Sequence, residues 1–408
     1  MFDQPNIIVG LELGTSKICA AVGEVNSENT LNIIGLGQSR SRGVRKGEIV
    51  DPVQVEEDIR NAIVEAEEMA NVEIRSVFLG VTGNHIRGFN NRGVHPVVSA
   101  DRLISEDDVQ DVIKNAKAIN LPAENTVIHT IRQHFHVDGR AGVFNPVGLS
   151  GARIEVDVHV IHGVTSRLQT PLAAVRALQL EVEHVAFNGL ACGMALLTPE
   201  QKEMGSLVID LGAGVTDFAV CSNGIIQHTG VLAVGGDHVS NDLAIGLKIP
   251  LSRAEQLKIE HGSALPNDDI KGRTVEYQGD FGLNKRTLNL QSLQMIMSVR
   301  LEELFELIAR ELDQQGLLDH LRAGVFLCGG GARIPRISEL AERVFRLPVS
   351  VGKANSINGL RSALDQPEFA TAIGLVRYGS TFTQQRKNTN SIADRLRQVT
   401  NLFRFRQN

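Results

Sequence analysis

Tryptophan is absent from the 408 residues, tyrosine occurs twice, and aromatic residues make up only 4% of the chain. Stacking on single-stranded bases needs exposed aromatic faces and is therefore disfavoured. Basic residues do not predominate either, since 41 Lys and Arg against 47 Asp and Glu give a net charge of −6. That balance supplies no broad cationic surface, and no nucleic-acid partner is expected. No run reaches the ~18 apolar residues that a membrane-spanning helix requires. The opening MFDQPN lacks the basic region and apolar core of a secretory signal. Of the four cysteines, Cys19, Cys192, Cys221 and Cys328, no two form a C-x-x-C. Each lies among apolar or small residues, so buried thiols in a reducing cytosol are expected rather than disulfides.

What is present points to phosphate. Single cores rarely grow past about 250–300 residues, so a chain of this length implies two or more domains. Leu207, Val208, Ile209 and Leu211 form an apolar strand pattern interrupted by Asp210. Gly212 and Gly214 then permit a tight turn, and Thr216 and Asp217 lead into a second apolar run. A strand follows these glycines, where a dinucleotide site would place a helix. Glycine lets the backbone approach a ligand, and the N–H groups of such a turn can form an anion nest. Asp210, ending the strand, is placed to hold a divalent ion or its water. A plain hairpin with a solvated aspartate would explain one such stretch as well. A second copy shifts that balance: Ile7 to Leu11, then Glu12, Leu13, Gly14, Thr15, Ser16 and Lys17, then Ile18 to Val22. Two such hairpins facing one another could hold a polyphosphate from both sides. A third element, Val325 to Cys328 followed by Gly329, Gly330 and Gly331, could pass close to a flat ring or sugar.

Between these motifs the chain reads as α/β. Asp51-Pro52 begins a helix whose Val55, Ile59, Ala62, Ile63, Ala66 and Met69 form an apolar stripe, and Val77 to Val81 is a central strand. Residues 84–162 differ in texture. Asn84 to Arg92 reads as a polar turn region, Val94 to Val98 as a short strand, and Ser105 as a helix cap with an acid three residues on. Val127–Phe135 and Ile154–Val160 read as strands, joined by a Gly-rich connection carrying NPVGLSG. A small α+β module inserted into a larger fold would explain this. The histidines His129, His134, His136, His159 and His162 have no convincing carboxylate or cysteine beside them, so surface or strand-pair roles are expected over metal binding. Further on, Ser252 is expected to cap a helix with Glu255, Leu288–Leu317 is the longest helical tract, and Pro335 falls in the first turn of a helix over 334–345.

The tail is distinct. Thr381 to Ser391, containing TQQRKNTN, reads as a linker. Ile392, Leu396, Val399, Leu402, Phe403 and Phe405 follow at helical spacing, with Arg395, Arg397, Arg404 and Arg406 against Asp394 giving a local charge of +3. Such a helix can lie in an anionic membrane surface. Docking on its own domain is the alternative, but the linker would be needless for that. A short anchor binds weakly alone and gains by avidity when copies accumulate.

Together these features resemble the FtsA family of bacterial cell-division proteins, within the actin/Hsp70/sugar-kinase superfamily, over essentially the whole chain. GLELGTSK (10–17) and IDLGAGVTDF (209–218) are similar to the two phosphate motifs, and FLCGGGARIP (326–335) to the adenosine motif. Segments 188–197 and 369–379 resemble the two connecting helices behind the cleft. The implied fold is an actin-like ATPase, two large domains around a nucleotide cleft with a small α+β subdomain inserted in the first. Its expected parts are 1–83 with 163–204 and 363–380, the insert at 84–162, a second core of 205–235 with 306–362, an outer subdomain at 236–305, a linker at 381–391 and the membrane helix at 392–408.

The resemblance implies ATP and Mg2+ as ligands. Gly14, Thr15, Ser16, Gly212, Ala213 and Gly214 would bring backbone donors to the phosphates, and Lys17 a point charge. Glu12 and Asp210 would organise the metal and its waters, with Thr216 ordering another oxygen. Gly329, Gly330 and Arg333 would lie at the adenosine. Glu12 stands where the superfamily usually has Asp, which puts rapid hydrolysis in doubt. Implied partners are further copies in a protofilament, the C-terminal tail of FtsZ, later division proteins and the anionic phospholipid membrane, at the division site on the cytoplasmic face of the inner membrane. Arg300, Glu302 and Glu303 fall near the expected tail groove, with an ordinary surface role as the alternative for each. A pilus-assembly actin homologue and an Hsp70- or sugar-kinase-like enzyme are the competing readings. The arginine-rich tail and NPVGLSG argue against the first. The second would need a separate substrate domain or an acceptor base, and neither stands out.

Overall fold

The computed structural model describes residues 6–26, 30–278, 285–354 and 357–388. Two sheets are built to one plan. In the first, Asn6–Leu13 pairs antiparallel with Lys17–Val25, which pairs antiparallel with Leu31–Arg40. The chain crosses through the helix Pro52–Ala70 and returns as Ser76–Val81, parallel to the opening strand, with Glu181–Phe187 beyond it. In the second, Ser206–Leu211, Thr216–Ser222 and Ile225–Leu232 repeat the antiparallel run. Gly324–Cys328 then returns parallel to the first of these, with Val349–Val351 outside it. Both sheets therefore run third, second, first, fourth, fifth, and the short strand Asn358–Gly359 adds an edge to the first. Parallel return needs a crossover, and helices supply it in both.

Local chemistry explains the elements. Asp51 accepts from Gln54 N and Pro52 occupies the first turn, while Asn71, at φ 52°, ends the Pro52–Ala70 helix. Its buried Val55, Ile59 and Ile63 face the sheet, each apolar side chain stabilising by about 1.5–3 kcal/mol when fully buried. The longest helix, Leu290–Gln314, is capped by Asn289 and buries Leu293, Met297, Leu301, Phe305 and Leu312. It runs unbroken across the boundary expected between 305 and 306. The helix Asn188–Leu196 crosses the last described helix, Ala370–Asn388, where Gly374 lies so close to the Ala191 carbonyl that no Cβ fits.

The insert has its own core. Its strands lie in the order Arg87–Pro96, Arg153–Val164, Asn125–Val137, Arg140–Val143, covered by the helix Glu106–Lys117. Ser105 and Asp108 form the capping box. Residues 87–92, expected as a turn, are strand instead, because their ladder to Arg153–Val164 is completed by Arg92 pairing with Asp157 and Glu155. Polar side chains fasten the insert to the second sheet. Asn90 donates to the Gln227 carbonyl at 3.1 Å, Gln133 to the Ile226 carbonyl at 2.7 Å, and His159 Nε2 meets Thr229 Oγ1 at 2.8 Å.

Three further expectations are corrected. The helix Leu251–His261 starts before Ser252, with Pro250 at its cap position and no side-chain cap. The helix after the third glycine turn is Ile337–Phe345; a 3-10 turn and Arg336 at φ 62° absorb the residues around Pro335. Residues 381–388, expected as linker, continue the last helix. Thr381 and Thr383 return their hydroxyls to the Arg377 and Gly379 carbonyls, and Phe382 packs edge-on against Phe78 at 5.9 Å. The remaining linker residues, 389–391, and the expected membrane helix at 392–408 lie outside the described residues.

Candidate functional site: two facing glycine turns

The two hairpins end alike. Leu13 pairs with Ile18 and Leu211 with Thr216, leaving four-residue turns at 14–17 and 212–215. One step back along each ladder, Glu12 lies opposite Cys19 and Asp210 opposite Asp217. The turns meet. A Cβ on Gly214 would fall 2.5 Å from Thr15 Oγ1 and 2.7 Å from Lys46 Cα. Thr15 Oγ1 accepts from Gly47 N at 3.0 Å, which fixes the side chain at the junction. Among the described residues, the backbone N–H groups of Thr15, Ser16, Ala213 and Gly214 donate to no protein acceptor. A run of such free donors is what an anion nest requires.

Each acid lies two residues before its turn. Asp210 Oδ2 accepts from the Thr371 hydroxyl at 2.7 Å and from the Cys192 thiol at 3.3 Å. Gly329, at φ 79°, lies against the same carboxylate, where any side chain would strike Asp210 Oδ1. Glu12 pairs with Lys17 at 3.4 Å. Burial pushes the Glu12 carboxyl up, Lys17 pulls it down, and the Asp210 charge pushes it up again. Burial opposes the Lys17 charge, yet the surrounding Glu12, Cys19 and Asp210 hold its pKa above the ordinary value. The Lys17 ammonium also lies 5.4 Å from the centre of the Phe369 ring, within cation–π range. Two carboxylates beside unspent N–H donors fit a hydrated hard cation carrying a polyphosphate.

Other expected residues lie elsewhere. Thr216 is fully buried, and its hydroxyl donates to the Val234 carbonyl at 2.8 Å, so it staples the sheet and does not face the turns. Gly330 faces open space, as a ring or sugar would need. Arg333 is tied by its guanidinium to Glu368 and Gln366, each at 2.8 Å. On the outer face of the second half, Asp242, Met295, Val299, Arg300 and Glu303 line a groove of about 320 Å³. Arg300 bridges Asp242 and Glu303 there, whereas Glu302 is exposed and does not line the groove.

The sequence reading missed four contributors. Thr82 donates to buried Asp217 at 2.6 Å, joining the halves across 135 residues of chain. Burial and the Asp210 charge push the Asp217 carboxyl well up. Thr371 and Cys192 hold Asp210, and Lys46 lies against Gly214. No local motif marks Thr82 or Lys46, and although Cys192 and Thr371 lie in the segments read as connecting helices, nothing local points them at Asp210. All four cysteines are buried and free of disulfides. The Cys192 and Cys328 sulfurs and Asp210 lie within 4.8 Å of one another. Burial raises both thiols, Cys328 to about 11, so they stay protonated and serve Asp210 as neutral neighbours.

Comparisons with known proteins bear on the family and the fold. Residues 207–374 match the family model for cell division protein FtsA, and 83–162 that for the SHS2 domain inserted in FTSA. Cell division protein FtsA of Pseudomonas aeruginosa is 38% identical over 373 residues, covering 91% of this chain and 89% of the relative. That of Escherichia coli K12 is 37% identical over 380 residues, covering 91% and 90%. Among solved structures, MreB 5 of Spiroplasma citri bound to AMPPNP superposes with a TM-score of 0.58 at 15% identity, covering 94% of this chain and 98% of that one. The PilM-PilN type IV pilus biogenesis complex gives 0.62 at 17%, covering 91% and 98%. These two likenesses establish the actin-like fold.

Proposed function

The chain belongs to the FtsA cell-division family, and from that membership we propose an ATP-dependent, actin-like scaffold that tethers FtsZ filaments to the inner membrane. The observation that carries this reading is the contact of the two acid-bearing turns, Thr15 against Gly214, with Glu12 and Asp210 below them. Backbone donors of Thr15, Ser16, Ala213 and Gly214 would hold the phosphates, and Lys17 would shift part of its charge from Glu12 to them. Glu12 and Asp210 would orient the waters of Mg2+, whose own contribution is to neutralise phosphate charge. Adenosine would lie over Gly330 with Arg333 at its edge. A ligand bridging both turns stabilises one angle between the halves, which favours the subunit shape that stacks into a protofilament.

The tether has two ends. Exposed Met295 and Val299, between Asp242, Arg300 and Glu303, offer an amphipathic groove for the FtsZ tail. Residues 392–408 would bind the anionic membrane, strengthened by avidity along the filament. Filaments held there would then recruit later division proteins. No described helix is long and apolar enough to cross a membrane, so attachment would be peripheral among these elements. The test is reconstitution on anionic vesicles with MgATP and FtsZ. The full chain should recruit FtsZ filaments, while truncation after residue 391 or Arg300→Glu should abolish recruitment. Failure of the intact chain to recruit FtsZ would overturn the proposal.

A further inference from the structure

A second cavity lies away from the glycine turns, where the first half, the insert and the second half come together. Its volume is about 270 Å³, and its wall is largely apolar. Ile131 of the insert, Met194 of the helix Asn188–Leu196, and Ile226 of the second sheet face it from three sides. Lys202 is the one lysine among its lining residues. The half-buried Lys202 ammonium has neither a carboxylate nor a hydrogen-bond partner among the described residues. His129 supplies a second polar group. Its Nε2 accepts from the Phe187 backbone N–H at 3.0 Å, which leaves the ring proton on Nδ1 as a donor with no described acceptor. Gly193, in mid-helix, also lines the cavity, and a Cβ there would meet nothing within 4 Å.

We propose that this cavity is a binding site for a small amphipathic carboxylate, its chain against Ile131, Met194 and Ile226 and its head on Lys202. Three features select that class. The wall is apolar, so burying a hydrocarbon body is favourable. The unpaired lysine is stabilised by an anion brought to it, more so where solvent is partly excluded. The volume falls just under the roughly 300–1,000 Å³ of pockets that take drug-sized ligands, which suits one short chain and excludes a diacyl lipid. His129 is pushed down to about 3 by burial, so it stays neutral and offers a hydrogen bond without a second charge. Because the walls come from three parts of the fold, an occupant favours the arrangement in which all three close around it.

The test uses the full chain and decanoate below its micellar concentration, observed by ligand-detected NMR. Saturable binding is expected. Lys202→Gln should weaken it by about tenfold or more, as for loss of one partner of a partly desolvated charge pair, and Lys202→Arg should largely restore it. Gly193→Leu should fill the cavity and block binding, with an unchanged or higher melting temperature because a mid-helix glycine is replaced. Gly193→Ala serves as the milder variant should the leucine perturb folding, and should weaken binding partially. Decanol should bind more weakly than decanoate. No saturable binding, or equal binding by wild type, Lys202→Gln and the Gly193 variants, would overturn the site. Displacement of decanoate by vesicles of anionic diacyl lipid would assign the cavity to an inserted acyl chain and overturn the free-carboxylate reading.

Discussion

The turns at 14–17 and 212–215 have one backbone and two chemistries. The first carries Thr15, Ser16 and Lys17 and keeps its acid, Glu12, in an ion pair with its own lysine. The second carries only Gly212, Ala213, Gly214 and Val215, and its acid, Asp210, is held by neutral donors from distant segments. In the proposed site, one turn would work through side-chain charge and the other through closeness of approach. Their opposite strands differ too, with Cys19 behind Glu12 but a second carboxyl, Asp217, behind Asp210. The duplicated fold thus places equal frames face to face, and a handful of side chains makes them chemically unequal.

Substitutions can break that contrast, the most severe first. Gly214→Val puts a branched side chain where even a Cβ meets Thr15 and Lys46. Overpacking there should cost about 1–3 kcal/mol in denaturant unfolding and abolish detectable binding of a fluorescent ATP analogue. Asp210→Asn keeps the shape but removes the charge that Thr371 and Cys192 hold in place. Mg2+-dependent nucleotide affinity should fall by about 10–100-fold, the range typical for disturbed metal shells. Glu12→Gln should do less, because Lys17 already offsets much of that charge.

Asp217 sharpens the contrast through pH. Its folded pKa is raised by burial and by Asp210, with Glu12 adding to the rise and Thr82 opposing it. The group therefore favours folding in its protonated form, and that contribution is lost as pH rises from the ordinary carboxylate range towards its folded pKa. Asp217→Asn keeps an acceptor for Thr82 and does not titrate. Its stability relative to wild type should improve steadily between pH 4 and pH 7 in denaturant titrations. A constant difference across that range would show that Asp217 ionises as an ordinary carboxyl. The smallest effect belongs to Ser16→Ala. Its side chain is exposed and only its backbone N–H faces the turn, so stability should stay within about 0.5 kcal/mol and nucleotide affinity within about twofold.

Much of this site was legible in the chain because it is local. Apolar alternation ending in an acid, then glycines, dictates a hairpin whatever surrounds it, and finding that pattern twice announced the repeat. The insert showed itself by a change of texture. Reading failed where local composition was overruled by distant contacts. Thr381–Asn388 lacks aliphatics, yet Phe382 anchors it on Phe78 and its threonines satisfy the preceding turn. Thr216 has the right residue type beside the right motif, but the Val234 carbonyl claims its hydroxyl. Ser252 has the spacing of a cap, but the helix begins one residue earlier.

By itself the sequence determined the two turns, the acids at their bases, the insert and the family. Each of these depends on neighbours within a few residues, where backbone geometry links sequence to shape directly. Only the tertiary structure decided that Thr82 meets Asp217, that Thr371 and Cys192 hold Asp210, and that Gly329 makes room for a carboxylate. Those contacts join segments far apart in the chain, and the packing of two duplicated sheets sets which side chains come within hydrogen-bond reach.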